Sequence, residues 1–154
     1  MAKTHAALAA ALIRKELKAA GIEAKKVTSE NYSMGSNVNV TIIDATPETK
    51  AKAETICKKY QAGHFDGMID CYEYSNSRDD IPQAKFVFVR NEASPEMKQR
   101  IYDWLRGNWH DGEKLPALYD AGYNQYIDGV EVSAMVHRCF TGAIESFWKP
   151  RLAA

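Results

Sequence analysis

The chain has 154 residues, of which 45% are apolar and 26% are charged, and its formal net charge is zero. These values are ordinary for a soluble globular protein, and the length fits one domain or one domain with a helical extension. No apolar run approaches the roughly 20 residues of a membrane span, and a dedicated duplex-binding protein would show a stronger basic bias. The composition excludes a membrane-spanning helix and counts against duplex DNA as the main partner.

The cysteines and the N-terminal segment indicate a reduced, cytoplasmic setting. Cys57, Cys71 and Cys139 are odd in number and widely spaced, so neither a disulfide framework nor a paired-cysteine metal site is available. Cys57 and Cys139 lie on apolar helix faces, where a free cysteine usually behaves as a small buried hydrophobe. The Ala/Leu-rich start superficially suggests a signal peptide, but charged residues cut it short and no small-residue cleavage site follows.

The start of the chain predicts a helix followed by two strands. Thr4 is the predicted N-cap of the helix and Gly21 its stop, with an apolar stripe between them. Residues 26–30 form a short strand candidate. Residues 37–43 alternate apolar and polar side chains with the period of two that is typical of a half-buried strand. The turn-rich residues 31–36 predict a connection longer than a two-residue hairpin.

Two further helices begin with the same chemistry, in which a capping hydroxyl is followed by proline and glutamate. The first is predicted to start at Thr46 and to end at Gly63, and the second starts at Ser94. Between these helices, residues 68–74 and 85–90 are strand candidates that flank a long polar loop.

The last segment, residues 132–148, carries a broad apolar stripe and predicts one helix that is stopped by Pro150. A helix this apolar is either buried within its own domain or part of a dimer interface. Burial is favoured, because a chain of this size normally needs a capping helix, and a homodimer stays open as the alternative.

These elements together predict an α+β fold, with a four-stranded, mostly antiparallel sheet, helices packed on one face of it, and a helical C-terminal extension. In the alternative, residues 68–74 form only an extended loop and the sheet has three strands. The predicted domains are an α-β-β-α-β-β domain over residues 1–95 and the extension, packed on it, over residues 96–154.

Several short motifs occur in the order that a known family shows. The most specific is GHFDGMID at residues 63–70. The others are IRKELKAAG at 13–21, YSMGSNVNV at 32–40, DATPE at 44–48, and FVFVR at 86–90 with the helix start at 94–95. In this order they resemble a large polyvalent protein-associated domain of phages and conjugative or other mobile elements, over about residues 8–95.

The resemblance implies a protein that protects a mobile element from its host or supports its establishment. It implies no known active site, and residues beyond Met97 lie outside it. The turn at Ser33-Met34-Gly35 departs from the more glycine-rich pattern expected of the family.

The acidic residues of the central segment suggest a metal site or an acid–base cluster. His64, Asp66, Asp70, Asp79 and Asp80 could converge on a divalent cation. However, Asp66 with the glycine after it is a natural turn pair, and Asp79 with Asp80 is typical of a solvated loop. We therefore expect no metal, no cofactor and no enzymatic activity.

Aromatic residues supply a second kind of candidate. Tyr72 and Tyr74 fall on one strand candidate and Phe86 and Phe88 on the next, where they would either stack on unpaired bases or form cross-strand core pairs. We favour the core, because the valines that alternate with the phenylalanines make the other strand face apolar too, and one face must be covered.

Aromatic residues on irregular segments are typical protein-binding anchors. The predicted partner-binding residues combine such aromatic residues with the acids of the central segment, namely Tyr32, Asp66, Asp70, Tyr74, Asp79, Asp80, Trp109, Tyr119, Tyr123 and Tyr126.

The expected function is counter-defence. Balanced charge and the lack of a catalytic constellation favour a mobile-element protein that inhibits a host nuclease system, as an anti-CRISPR or anti-restriction factor, by binding protein in the host cytoplasm. Residues 64–94 carry three basic and six acidic side chains and could mimic phosphates in a basic channel. The alternative is a single-stranded nucleic-acid-binding accessory protein, which would use the aromatic strands or residues 1–63, with ten basic and six acidic side chains.

Overall fold

A computed structural model describes residues 2–118 and 125–149. The chain divides into two compact units, Met1–Glu92 and Ala93–Ala154. Within the described ranges, no helix combines the length and the apolar character that a membrane crossing requires.

The first helix, α1, spans His5–Ala19 and begins as the sequence predicts. The Thr4 hydroxyl accepts a hydrogen bond from the Ala7 N–H at 3.2 Å, which satisfies one of the free donors at the helix start. Gly21 follows the helix with a φ of 75°, a left-handed conformation that glycine adopts without steric cost. Both predicted boundary residues are confirmed.

Strands β1 (Ala24–Tyr32) and β2 (Gly35–Ile43) form an antiparallel hairpin. Pairing continues up to Tyr32 opposite Gly35, which leaves only two residues, Ser33 and Met34, in the turn. The predicted longer connection is wrong, because the polar residues thought to form it are strand residues that extend the ladder on both sides.

The sheet of the first unit is completed by β5 (Phe86–Glu92), which pairs with β2 and runs parallel to it. Helix α2 (Pro47–Lys58) lies between them in the chain and carries it back across the sheet, which a parallel pair requires. The strand order is β1-β2-β5. The mixture of helices and strands is confirmed, whereas the prediction of four mostly antiparallel strands is wrong, since the largest sheet in the described ranges has three strands and is mixed.

The predicted fourth strand forms part of a separate hairpin. Strand β3 (His64–Asp66) pairs antiparallel with β4 (Cys71–Glu73), so residues 68–70 of the predicted strand 68–74 form a turn instead. Helix α2 also ends five residues before its predicted stop at Gly63. Lys59 and Tyr60 form a turn, and the chain then pairs with a distant segment, where the Ala62 N–H donates to the Ala84 carbonyl at 3.0 Å.

The core of the first unit lies on one side of the three-stranded sheet. Val27, Val38, Val40 and Ile42 on the sheet are buried, and the buried faces of α1 and α2 belong to the same apolar cluster. Because alternate strand residues point to opposite faces, the residues between these valines belong to the other face. The helices therefore cover one face of the sheet.

The second unit has its own apolar core. It contains α3 (Pro95–Asn108), a short 3₁₀ turn (Gly112–Lys114), β6 (Tyr126–Ile127) paired with β7 (Val130–Glu131), α4 (Val132–Thr141) and α5 (Glu145–Trp148). Its core is formed by Met97, Ile101, Tyr102, Leu105, Leu115, Ile127, Val132, Cys139, Phe140 and Phe147.

The prediction of one continuous helix over residues 132–148 is wrong. Gly142 has a φ of 88° and terminates α4, so the chain turns before α5 begins. The apolar side chains of both helices nevertheless pack into the core of the second unit. The homodimer stays a prediction.

Leucines at two positions of α1 offer a matched test of this packing. Leu17 is fully buried, whereas Leu8 is 40% exposed. Replacing Leu17 with alanine should lower the free energy of unfolding by about 2–5 kcal/mol, because a cavity is left in the core. Leu8→Ala should change it by about 0.5 kcal/mol or less. Urea unfolding followed by circular dichroism measures both values, and equal losses would contradict the assigned packing.

Candidate functional site

The hairpin of β3 and β4 presents large apolar side chains to solvent. Phe65, Met68, Ile69 and Tyr74 are all exposed, and Met68, at the tip, is 94% exposed. We refer to these four residues as the hairpin surface. Contiguous exposed apolar residues on a folded protein are typical of interaction sites.

The turn of this hairpin has a defined local geometry. The Asp66 carboxylate accepts a hydrogen bond from the Met68 N–H at 2.9 Å. Asp70 adopts a φ of 53°, the left-handed conformation that Asp tolerates better than most residues. Asp66 therefore closes a turn, as its pairing with the following glycine predicts, and the turn directs Met68 and Ile69 outward.

Amide side chains anchor the base of the hairpin to the rest of the first unit. Gln61 donates to the Gly63 carbonyl at 2.7 Å, and Asn76 donates to the Gln61 carbonyl at 2.9 Å. Gln83 donates to the Lys59 carbonyl at 2.7 Å and to the Asn76 carbonyl at 2.9 Å. These bonds hold both ends of the hairpin, so its exposed residues sit on a fixed base.

Four aromatic residues form a continuous row that joins the hairpin segment to β5. The ring centroids of Tyr74 and Tyr72 are 4.8 Å apart, those of Tyr72 and Phe86 5.3 Å, and those of Phe86 and Phe88 5.9 Å. We refer to these residues as the aromatic row. Its first two contacts are edge-to-face, a favourable arrangement for aromatic pairs.

The aromatic row lies on the sheet face away from the core. Val87 and Val89 pack against the core cluster, so Phe86 and Phe88 point to the opposite face. Phe88 is 43% exposed and Tyr74 is exposed as well. The preferred interpretation of these residues as core pairs is wrong for Phe88 and Tyr74, because both helices cover the valine side of the sheet.

Lys85 connects the aromatic row to the turn between β1 and β2. Its ammonium lies 4.9 Å from the centroid of the Tyr72 ring and donates to the Met34 carbonyl at 3.1 Å. Tyr32, a predicted binding residue, is exposed at the end of β1 next to this turn. The structure thus links the Tyr32 turn to Tyr72 and Tyr74, which are far away in sequence.

The four acidic residues predicted to contact a partner differ in their surroundings. Asp80 receives a hydrogen bond from Arg78 Nε at 2.9 Å, and this bonding holds the pKa of Asp80 below its ordinary value. Asp66 is engaged in its turn, while Asp70 and Asp79 are exposed. In the part of the chain that the structure describes, no cluster of three His, Cys, Asp or Glu residues is arranged to hold a metal ion.

The remaining predicted residues belong to the second unit, and the structure does not bring them into one site. Trp109 packs partly against the core of that unit, whereas Tyr126 is exposed on β6. Tyr119 and Tyr123 lie outside the described residues.

Asp111 is a notable residue that the sequence did not single out. It is buried, and its carboxylate lies 2.7 Å from His110 Nε2 and 3.1 Å from Lys114 Nζ. Lys114 also bonds Asp128, and its hydrogen bonds to Asp128 and Asp111 raise the pKa of Lys114. The network ties the 3₁₀ turn to the turn between β6 and β7. Its residues lie on irregular segments, so no periodic pattern signals it.

The cysteines offer limited chemistry. Burial raises the pKa of the Cys57 and Cys139 thiols to about 11, so both are protonated at neutral pH. Cys71 is exposed on β4. The two buried thiols act as packing residues, which agrees with their predicted place on apolar helix faces.

The first unit is a small α+β module with several large apolar side chains exposed on its surface. The family model for the large polyvalent protein associated domain 29 matches residues 4–100. The chain belongs to this family, and membership associates it with phages and other mobile elements. The resemblance noted in the sequence is thereby confirmed. Searches of curated proteins and of solved structures gave no match.

Two glycines of the hairpin offer a matched test of its anchoring. A Cβ on Gly63 would lie 1.8 Å from the Glu73 carbonyl oxygen, whereas a Cβ on Gly67 would meet nothing within 4 Å. Gly63→Ala should therefore force β3 and β4 apart and cost about 1–3 kcal/mol, while Gly67→Ala should be nearly neutral. Hydrogen exchange of the hairpin amides and thermal unfolding report the two effects. A fully protected hairpin in the Gly63 variant would disprove the close approach.

Proposed function

We propose that this protein is a non-enzymatic counter-defence factor of a mobile element, which inhibits a host CRISPR or restriction nuclease system by binding one of its proteins. The observation that carries the proposal is the hairpin surface. Phe65, Met68, Ile69 and Tyr74 are exposed on a hairpin whose base is hydrogen-bonded. The family's association with mobile elements supplies the biological setting.

The physical argument rests on the cost of this exposure. Burying a large apolar side chain contributes about 1.5–3 kcal/mol, and the hairpin forgoes that contribution at several adjacent positions. The amide bonds of Gln61, Asn76 and Gln83 order the backbone beneath them before any partner arrives. Preorganisation of this kind reduces the entropy lost on binding. A protein partner that covers the hairpin surface would recover the apolar contribution.

The charges next to the hairpin surface favour a basic partner. Asp70 and Asp79 are exposed and form no ion pair with any residue that the structure describes, whereas Asp80 is paired with Arg78. Nucleases carry basic surfaces for nucleic acid, and opposite charges speed association with such surfaces. Acidic residues near an apolar hairpin therefore suit this class of partner better than a nucleic acid.

An infection assay tests the proposal. The protein is expressed in bacteria that carry an active CRISPR or restriction system, and a phage sensitive to that system is plated. The wild type should restore plaques. Met68→Ser with Ile69→Ser should lose this effect, because truncating interface hot spots costs at least about 2 kcal/mol each, or roughly 30-fold in affinity.

Leu8→Gln provides the control for this assay, since Leu8 is an exposed apolar residue on α1, outside the hairpin surface. It should leave the restoration of plaques intact. In parallel, a nuclease or surveillance subunit should be recovered with the tagged protein from nuclease-treated lysate. Failure to protect phage in any system tested, or full protection by the hairpin variant, would refute the proposal.

The aromatic row supports a second candidate function, which is binding of single-stranded nucleic acid. Phe86 and Phe88 occupy alternate positions on the sheet face away from the core, with nearly parallel rings, and Lys85 and Arg90 flank them in sequence. Sheet-based RNA binders stack unpaired bases on such rings while cations contact the backbone.

The second candidate predicts a measurable affinity for labelled oligo(dT) or oligo(rU). Binding should weaken steeply as salt rises, and Phe88→Ala should cost about 1–3 kcal/mol through the loss of one stacked base. Phe65→Ala, which removes an exposed ring from the hairpin instead, serves as the control. Fluorescence anisotropy measures both variants. Lack of binding at low salt would eliminate this candidate.

A further inference from the structure

A groove of about 610 Å³ runs between α2 and the outer side of β5. On the strand side it is lined by four consecutive residues, Val87, Phe88, Val89 and Arg90. Consecutive strand residues point their side chains to opposite faces of a sheet. The part of all four residues that faces the groove is therefore the backbone at the edge of the strand. We refer to this cavity as the edge groove.

The edge of β5 that faces the groove is open for pairing. Among the strands of residues 2–118 and 125–149, the order β1-β2-β5 leaves β5 with a neighbouring strand on one side only. The Val87 N–H donates to the Gln61 side chain at 2.8 Å and therefore points away from β2. Because backbone groups alternate along a strand, the N–H and carbonyl groups of Val89 and Asn91 point to the same open side. Such an edge is a template for another strand.

Gln61 limits where this edge is available. Its side chain occupies the Val87 N–H, and its backbone position pairs with Ala84 in an isolated parallel bridge. The beginning of the strand is thus covered by the protein itself. The open portion lies from Val89 onward, beside the α2 residues that form the opposite wall.

The charges in the edge groove are unbalanced. Its α2 wall contributes Glu54 and Lys58, and its strand side contributes Arg90. Glu54 is paired with Lys50 at 3.1 Å. Neither Lys58 nor Arg90 has an acidic group within 4.0 Å among the residues that the structure describes, and both are exposed. Two unpaired cations beside an open strand edge complement a carboxylate-bearing segment.

We propose that the edge groove binds an extended acidic segment of a partner protein, which adds to the sheet as a strand beside β5. Its backbone pairs with Val89 and Asn91, and its carboxylates contact Lys58 and Arg90. Main-chain pairing supplies affinity in this mode, and the side chains of the segment supply specificity. The inference deepens the proposed function. It rests on that function in one respect, namely that the partner is a protein.

The test uses a displayed library of random heptapeptides selected on the full-length protein, followed by synthesis of the enriched peptides. The expected peptides carry Asp or Glu at neighbouring positions, because Lys58 lies on the helix side of the strand edge and Arg90, which follows Val89, points to the other face. Their binding should protect the Val89 amide from hydrogen exchange and leave the Val87 amide, already bonded to Gln61, little changed.

Charge reversal supplies the matched variants. Lys58→Glu with Arg90→Glu should weaken peptide binding by at least about tenfold, as expected when attraction is replaced by repulsion. Lys18→Glu with Lys52→Glu changes the net charge equally on the exposed faces of α1 and α2, away from the lining of the groove, and should leave binding intact. Circular dichroism confirms that both variants are folded.

Three outcomes would overturn the inference. The first is that the selected peptides are not enriched in acidic residues, and the second is that both double variants lose peptide binding equally. The third is that, without peptide, protection of the Val89 amide rises with protein concentration, which would mean that a second copy of the chain occupies the edge. The peptide assay contains no host system. Phage protection without peptide binding would therefore reject the edge groove alone, and peptide binding without phage protection would reject counter-defence alone.

Discussion

The structure of the first unit depends on the burial of β2. Val38, Val40 and Ile42 of this central strand are almost completely excluded from water, and both helices contribute to the cluster that buries them. Two helices on one side are enough to form this core, and on the opposite side Tyr72 of the hairpin contacts Phe86. That asymmetry leaves Phe88 exposed, and the crossover through α2 places β5 at an edge.

The alternating valine and phenylalanine residues of β5 show which features of the fold a local sequence pattern can predict. The sequence of valine and phenylalanine predicts a strand with two apolar faces, and β5 is such a strand. Which face is covered is decided by the helices, because Val87 and Val89 meet the core cluster. A strand pattern contains no information on which side a helix returns, so the assignment of the phenylalanines to the core failed although the strand itself was predicted.

Helix starts were predictable for a similar local reason. Thr4, Thr46 and Ser94 each accept a hydrogen bond from the backbone N–H three residues later, which is the defining contact of an N-cap. The path of the chain after α2 could not be predicted from such local signals. The helix ends at Lys58, and the extended pairing beside Ala84 replaces the last turn that the pattern suggested. Pairing between distant segments overrides helix propensity here.

The same distinction applies to the candidate surfaces, where features set by sequence neighbours were predictable and features set by contacts between distant segments were not. The position of Asp66 in a turn is predicted by the glycine that follows it, and the structure confirms this turn. The row from Tyr74 to Phe88 joins two segments whose spatial order depends on where the hairpin docks, and the open side of β5 depends on the parallel crossover. Neither surface can be read from spacing alone, because each is created by the order of strands rather than by any one strand.

The exposed surfaces of the first unit have different physical characters, and this difference bears on function. The hairpin surface is apolar and lies near exposed acids, whereas the edge groove offers backbone groups and two cations. A single nucleic-acid site would not need both, since an anionic backbone is repelled by Asp70 and Asp79. A protein partner can carry a basic area and an acidic segment together. The combination of opposite charges on one small unit therefore favours a protein over a polyanion as the main partner.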